Sequence, residues 1–290
     1  MKLLTLKAYG FLAPALVIFG IVTFFPVLQA FYLSFTRYDI LNPPQWIGGA
    51  NFSRLWMDPL FAKVLGNTLL YLVGVVPVLV TLPLVLAVLL NRAVPGVGGF
   101  RVLYYIPVII PMVVAGVTWK WVYGESGLIN GLLRAVFNLE AVPWLTGEGS
   151  LFAVMLVTIW KGLGYYMVIY LAGLQSIPAQ LYEAAALDGA VGWRKHWHIT
   201  VPLMRPYILL VAVLSAISAM KVFEEVYVMT RGGPINSSKT IVYYLYEKAF
   251  TNLELGYACA VGVILFILLF IFSLVNARLG NLREDSTFNS

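Results

Sequence analysis

The chain has 290 residues, of which 61% are hydrophobic and only 11% charged, and its mean hydropathy is +0.87. Soluble domains average about 25% charged and 45–50% apolar residues, so the composition excludes an ordinary soluble domain and indicates an all-α polytopic membrane protein. The formal net charge of +6 does not imply nucleic acid, because basic loops set the orientation of membrane proteins, and the single cysteine, Cys259, excludes an internal disulfide.

Lys2 and Lys7 precede an apolar run from Ala8 to Phe35. A secretory signal has a similar opening, but its apolar region is about 7–15 residues long. The longer run predicts a first transmembrane helix, kinked near Pro26 and ending in the aromatic cluster Phe31-Tyr32-Leu33-Ser34-Phe35. Arg37 to Lys63 is polar and reads as an irregular external loop. Leu65 to Leu90 is a second span, with Pro77 and Pro83 inside it. A short basic turn from Asn91 to Arg101 leads to a third span, Val102 to Tyr123. Trp119, Trp121 and Tyr123 form an aromatic belt at its end. Gly124 to Gly149 reads as external, and Ser150 to Leu174 as the fourth span. Pro206 to Met229 is the fifth, an external loop opens at Thr230, and Gly256 to Ala277 is the sixth. About 20 apolar residues cross a bilayer as a helix, and each run qualifies. Six spans put both termini on one side. Basic residues there (Lys2, Lys7, Arg92, Arg101, Arg194, Lys195, Arg205, Arg278 and Arg283) are only slightly more numerous than those opposite.

A polar island, residues 176–202, separates the fourth and fifth spans. Pro178 suits a first helical position, where its missing N–H costs nothing. Ala184, Ala185 and Ala186 are strong helix formers, and Gly189 suits a left-handed helix stop. Trp193 to His198 can form a second short basic helix before Pro202. The island therefore reads as helix–turn–helix. Local physics leaves two uses open, an interfacial hairpin that only joins two spans and a docking element whose small alanines admit a close partner.

The spacing Glu183-Ala184-Ala185, Asp188-Gly189-Ala190, Ile199 and Pro202 resembles the EAA loop of ABC-importer permeases. Val201 stands where the usual residue is Leu. The likeness extends to Leu12-Ala13-Pro14, Trp46, Asn51-Phe52, Asn67-Thr68, Met229-Thr230-Arg231-Gly232-Gly233-Pro234, Tyr243-Tyr244-Leu245-Tyr246 and Gly256-Tyr257-Ala258. Taken in order, these look like the first permease of carbohydrate importers of the maltose and glycerol-phosphate type. The resemblance implies a type I importer permease fold of about six helices, one transmembrane domain over residues 1–290, in a bacterial or archaeal cytoplasmic membrane with both termini cytoplasmic. It implies that residues 176–202 form the cytoplasmic coupling helix, with Glu183, Ala184, Ala185, Asp188, Gly189, Ile199 and Pro202 contacting an ATPase. It implies as partners a second permease, two ATPase subunits and an external solute-binding protein, with ATP and Mg held by the ATPases and no covalent chemistry in this chain.

Two motifs mislead. Gly233 to Thr240 is one residue from a phosphate-binding loop, but Ser238 stands where Gly is needed and Pro234 removes an amide donor. His196 and His198 lack further ligands at a spacing that would suit a metal. Glu224 and Glu225 follow Lys221 by three and four residues, so one continuous helix face would pair these charges.

Lys161 differs from these. It lies about 11 residues into the fourth span, roughly 16 Å along a helix and close to mid-bilayer. A charge there costs at least about 2.5–3.5 kcal/mol unless it meets a cavity or a partner. Trp160, Lys161, Tyr165 and Tyr166, with Ser218, Lys221 and Glu224 from the fifth span, are the expected substrate pathway, where rings stack on sugar faces and donors reach hydroxyls. The alternative is a packing face, with Gly162 and Gly164 allowing close approach and Lys161 paired to a carboxylate. A secondary transporter driven by an ion gradient is the rival function. It would use inverted repeats, and the EAA island has no counterpart in the first half.

Overall fold

A computed structural model describes residues 2–91, 95–187, 189–190 and 192–288, with side-chain environments for 11–91, 95–187, 189–190 and 192–276. Asp188 and Arg92 lie outside the described residues, as do the side chains of Lys2, Lys7, Arg278 and Arg283.

The chain is almost wholly helical. Helix α1 (Lys2–Phe19) passes through a π-helical turn (Gly20–Phe24) into α2 (Phe25–Ser34). A bulge of this type is a common cause of bending, and here it precedes Pro26. The segment expected to be irregular holds a small antiparallel hairpin, β1 (Thr36–Arg37) and β2 (Gln45–Trp46), and a short helix, α3 (Ala50–Met57). Helix α4 runs from Pro59 to Leu90 through both internal prolines, so the second span starts one and a half turns before Leu65.

The run expected as the third span is broken. Helix α5 (Val97–Ile109) and α6 (Met112–Val122) meet at 99°. Pro111 is the cause. Its ring forces Ile110 out of the helical region, to φ −68°, ψ 125°, and its missing N–H leaves the carbonyl of Pro107, four residues back, without a helical donor. After α7 (Leu128–Phe137), α8 (Ser150–Gln175) is continuous. Helix α9 (Ala179–Leu187) follows, then α10 (Trp193–Lys195), which runs through a π-helical turn (His196–Thr200) into α11 (Val201–Leu203). Helix α12 (Arg205–Met220) is bent from that segment by 70°.

The helix expected as the fifth span therefore stops at Met220 instead of Met229. Residues Lys221 to Phe223 are non-helical, and α13 (Glu224–Met229) starts again beyond them. Two carboxylates in the first turn of α13 favour its N-terminal dipole. The break removes the continuous helix face on which Lys221 was expected to pair with Glu224 and Glu225. Helix α14 (Ile241–Tyr246), a π-helical turn (Glu247–Thr251) and α15 (Leu255–Phe288) complete the chain. Among the described residues four helices are long and apolar enough to cross a membrane, and six spans result if each bent pair counts as one.

The chain divides into two compact units. The first comprises residues 1–62 and 244–268. Within it Asn51 donates to the carbonyls of Ser34 and Thr36, at 2.9 Å each, and so fixes the end of α2. Tyr244 and Tyr257 both donate to Asp58, at 2.5 and 3.0 Å. Arg54 and Lys248 both pair with Glu254, at 2.9 and 3.1 Å. Partial burial alone would raise the Asp58 and Glu254 carboxyls. The donated hydrogen bonds outweigh it and hold both below their ordinary values.

The second unit, residues 63–243 and 269–290, contains the main apolar core, built from α4, α8 and α12 around Tyr71, Val154, Met167, Tyr170 and Val211. The loop that resembled a phosphate-binding site is pinned by side chains. Asn67 donates to the carbonyls of Asn236 and Lys239, Ser150 to that of Gly233, and Thr240 to that of Val222. Lys239 itself is buried.

Candidate functional site

Two regions of the second unit gather the residues singled out by the sequence. The first is the segment after α8. Helix α9 ends in a paired hydrogen-bond motif: the Gly189 amide donates to the Ala186 carbonyl at 3.2 Å and the Ala190 amide to the Ala185 carbonyl at 2.8 Å. This closure needs a left-handed residue, and Gly189 has φ +79°. Glu183 and Ala184 are exposed, Ala185 is buried, and Ile199 and Pro202 are half-buried. Leu187 is 90% exposed, with Trp193 and Trp197 exposed beside it in sequence to Pro202. Among the described residues the exposed surface of this segment thus combines the Glu183 carboxylate with the polar or basic Gln180, Arg194 and His198 and with small and large apolar side chains. Thr200 is completely buried and ties the two halves together, meeting Tyr182 Oη at 3.0 Å and His196 Nδ1 at 3.1 Å. His198 Nδ1 meets the Arg194 carbonyl at 2.9 Å.

The second region is a cavity of about 370 Å³ in the middle of α8. Thr158, Lys161, Gly162, Tyr165 and Tyr166 of α8 line it, with Leu79 of α4, Val108 of α5, Leu214 and Ser218 of α12, and Glu225 of α13. Its volume lies at the small end of the range for ligand pockets, about 300–1,000 Å³, and its polar groups sit on otherwise apolar spans.

Lys161 holds the break between α5 and α6. Its Nζ donates to the carbonyls of Pro107 and Val108, at 3.1 Å each, and to that of Ile110. These are carbonyls that a helix end leaves unpaired, and Pro107 is the one orphaned by Pro111. The cation also stands at the negative end of α5. Gly164 makes this reach possible: a Cβ there would collide with the Tyr104 carbonyl, so only glycine lets α8 approach α5 so closely.

Tyr165, Tyr166 and Ser218 thus share one cavity with Lys161. Trp160 instead lies edge-on to Trp119, with ring centroids 5.4 Å apart. Lys221 and Glu224 are exposed at the break and the start of α13. Thr158 and Glu225 were not among the expected pathway residues. Thr158 donates to Glu225 Oε1 at 3.4 Å and meets Tyr71 Oη at 2.5 Å. Thr158 was findable, since it lies three residues before Lys161 and hence on the same helix face. Glu225 was missed because the break after Met220 turns it away from Lys221.

The chain is similar to the lactose transport system permease protein LacF of Rhizobium radiobacter, at 32% identity over 91% of this chain and 90% of that one. It is equally similar, at 32%, to the arabinooligosaccharides transport system permease protein AraP of Halalkalibacterium halodurans, over 93% of this chain and 86% of that one. Its fold matches a chain in the crystal structure of a bacterial ABC transporter involved in the import of the acidic polysaccharide alginate, with a TM-score of 0.84 and 24% identity over 95% of each chain. Family membership does not rest on these pairs alone: residues 60–281 match the model of the binding-protein-dependent transport system inner membrane component, and the chain belongs to that family.

Proposed function

We propose that the chain is the permease subunit of an ATP-driven importer of a sugar or related polyol. The observation that carries this reading is the polar cavity at Lys161 and Glu225, halfway along a span of a binding-protein-dependent transport component. The carbohydrate class is supported by the lactose and arabinooligosaccharide relatives. In this reading the two bent helix pairs each count as one of six spans. The chain pairs with a second permease and two ATPases that hold ATP and Mg, and takes solute from an external binding protein. Residues 176–202 lie in the cytoplasm with both termini, and Glu183, Ala184, Asp188 and Gly189 meet the ATPase. ATP binding draws the ATPases together and turns the cavity from one face of the membrane to the other.

The function is tested by uptake. Cells expressing the chain with its co-purifying subunits are expected to take up radiolabelled lactose or arabinooligosaccharide when ATP is present and ionophores have collapsed the ion gradients. Uptake that survives ATP depletion but stops with ionophores would instead establish a secondary transporter.

Orientation has its own test in a Cys259→Ala background. Arg194→Cys is expected to react with an impermeant maleimide only from the cytoplasmic face, and Ile235→Cys, at a site 88% exposed, only from outside. The reverse pattern would remove the basis for an ATPase contact at Glu183.

A further inference from the structure

Lys161 and Glu225 both line the cavity, but they do not offer the same thing to a ligand. An ammonium has three N–H donors, and Lys161 directs hydrogen bonds to three carbonyls, those of Pro107, Val108 and Ile110. Its donors are spent on the protein. Its charge is also offset by the negative end of α5, where those carbonyls lie. Glu225 is in the opposite position. A carboxylate has about four acceptor sites. Among the described residues the Thr158 side chain donates to its Oε1 at 3.4 Å, and its own backbone amide donates to the carboxylate as well. About half of its acceptor capacity is left for a ligand. Ser218 and the Tyr165 and Tyr166 rings stand in the same cavity.

We infer that Glu225 determines substrate specificity by charge, making the cavity a site for uncharged polyhydroxyl groups and rejecting anionic sugars. Two adjacent hydroxyls can donate to oxygens of one carboxylate, while a ligand carboxylate would meet a like charge in a confined site and find no free ammonium. This rests on the saccharide reading above and adds to it a charge class and the residue that sets it.

The test is binding to the purified assembly in nanodiscs, without the external binding protein, so that no other subunit filters the sugar. The probes are galactose and galacturonate, which differ in one carboxylate and are each one ring in size, read by saturation-transfer NMR. The wild type is expected to bind galactose at least about tenfold more tightly than galacturonate, the effect of about one hydrogen bond to a charged group. Glu225→Gln is expected to bring the two affinities within about threefold, and Glu225→Asp, which keeps the charge, to retain the preference. Equal or tighter galacturonate binding by the wild type would overturn the inference, as would a preference that persists in Glu225→Gln. If the wild type binds neither sugar, the saccharide reading falls, and this inference with it.

Discussion

Lys161→Met is expected to reduce the amount of folded, assembled permease before it alters the handling of substrate. Methionine preserves the length and apolar stem of the side chain but removes every donor. The carbonyls of Pro107, Val108 and Ile110 then lose their shared partner. A buried acceptor left unpaired costs about 1–3 kcal/mol, and water in the cavity can recover part of that. A loss of roughly 3 kcal/mol is a large share of the 5–15 kcal/mol that stabilises a typical domain. Size-exclusion profiles and melting temperature of the detergent-solubilised assembly should show the defect, with uptake per assembled complex less affected. Lys161→Gln, which keeps two donors, should fall between. The opposite pattern, normal assembly with uptake lost, would move Lys161 from holding the helix break to handling substrate. Normal values of both would mean that the break at Pro111 stands unaided.

The second large effect is expected at Gly189. Its φ of +79° is open to glycine, costs other residues about 1–2 kcal/mol, and is worst for a β-branched side chain. A Cβ at this position meets nothing within 4 Å, so the loss is purely one of backbone geometry and no packing is disturbed. Gly189→Val should therefore leave the membrane part assembled while unwinding the end of α9, where the Gly189 and Ala190 amides close on Ala186 and Ala185. In the proposed importer this uncouples ATP hydrolysis from sugar movement: ATPase activity persists and uptake falls about five- to thirtyfold, as a cost of about 1–2 kcal/mol in the coupling geometry implies. The rank order is the sharper reading. Asparagine, which tolerates the left-handed region, should do best, alanine next and valine worst. If all three transport like the wild type, the conformation at Gly189 has no part in coupling.

The helical content and the position of the long apolar spans were legible in the sequence because hydropathy reports them directly. Pro77 and Pro83 were correctly placed inside one continuous helix, α4. Pro111 looked no different from them, yet it marks the 99° break. What separates it is distant in sequence: Lys161 supplies the lost donor and Gly164 lets it come close. The break after Met220 has neither proline nor glycine to announce it. It is held by Thr240, whose hydroxyl takes the Val222 carbonyl at 3.0 Å, a partner 18 residues away that no local pattern reveals. For the same reason the acidic member of the cavity was misjudged. Lys221, Glu224 and Glu225 read as one helical face, and only the break separates them. The left-handed stop at Gly189 was legible because its cause is local.

The cavity carries one formal positive and one formal negative charge, on Lys161 and Glu225. A single unbalanced charge carried across the bilayer does about 2.3 kcal/mol of work for each 100 mV of membrane potential. That work would be added to one direction of every cycle and taken from the other. Because the two formal charges sum to zero over the whole site, whatever each presents locally to a ligand, moving an uncharged sugar through it in the proposed importer would leave the membrane potential no net charge to act on. In the proposed importer the resting voltage of the cell would then neither drive nor oppose the turning of the cavity, and the rate of import would be left to nucleotide and solute.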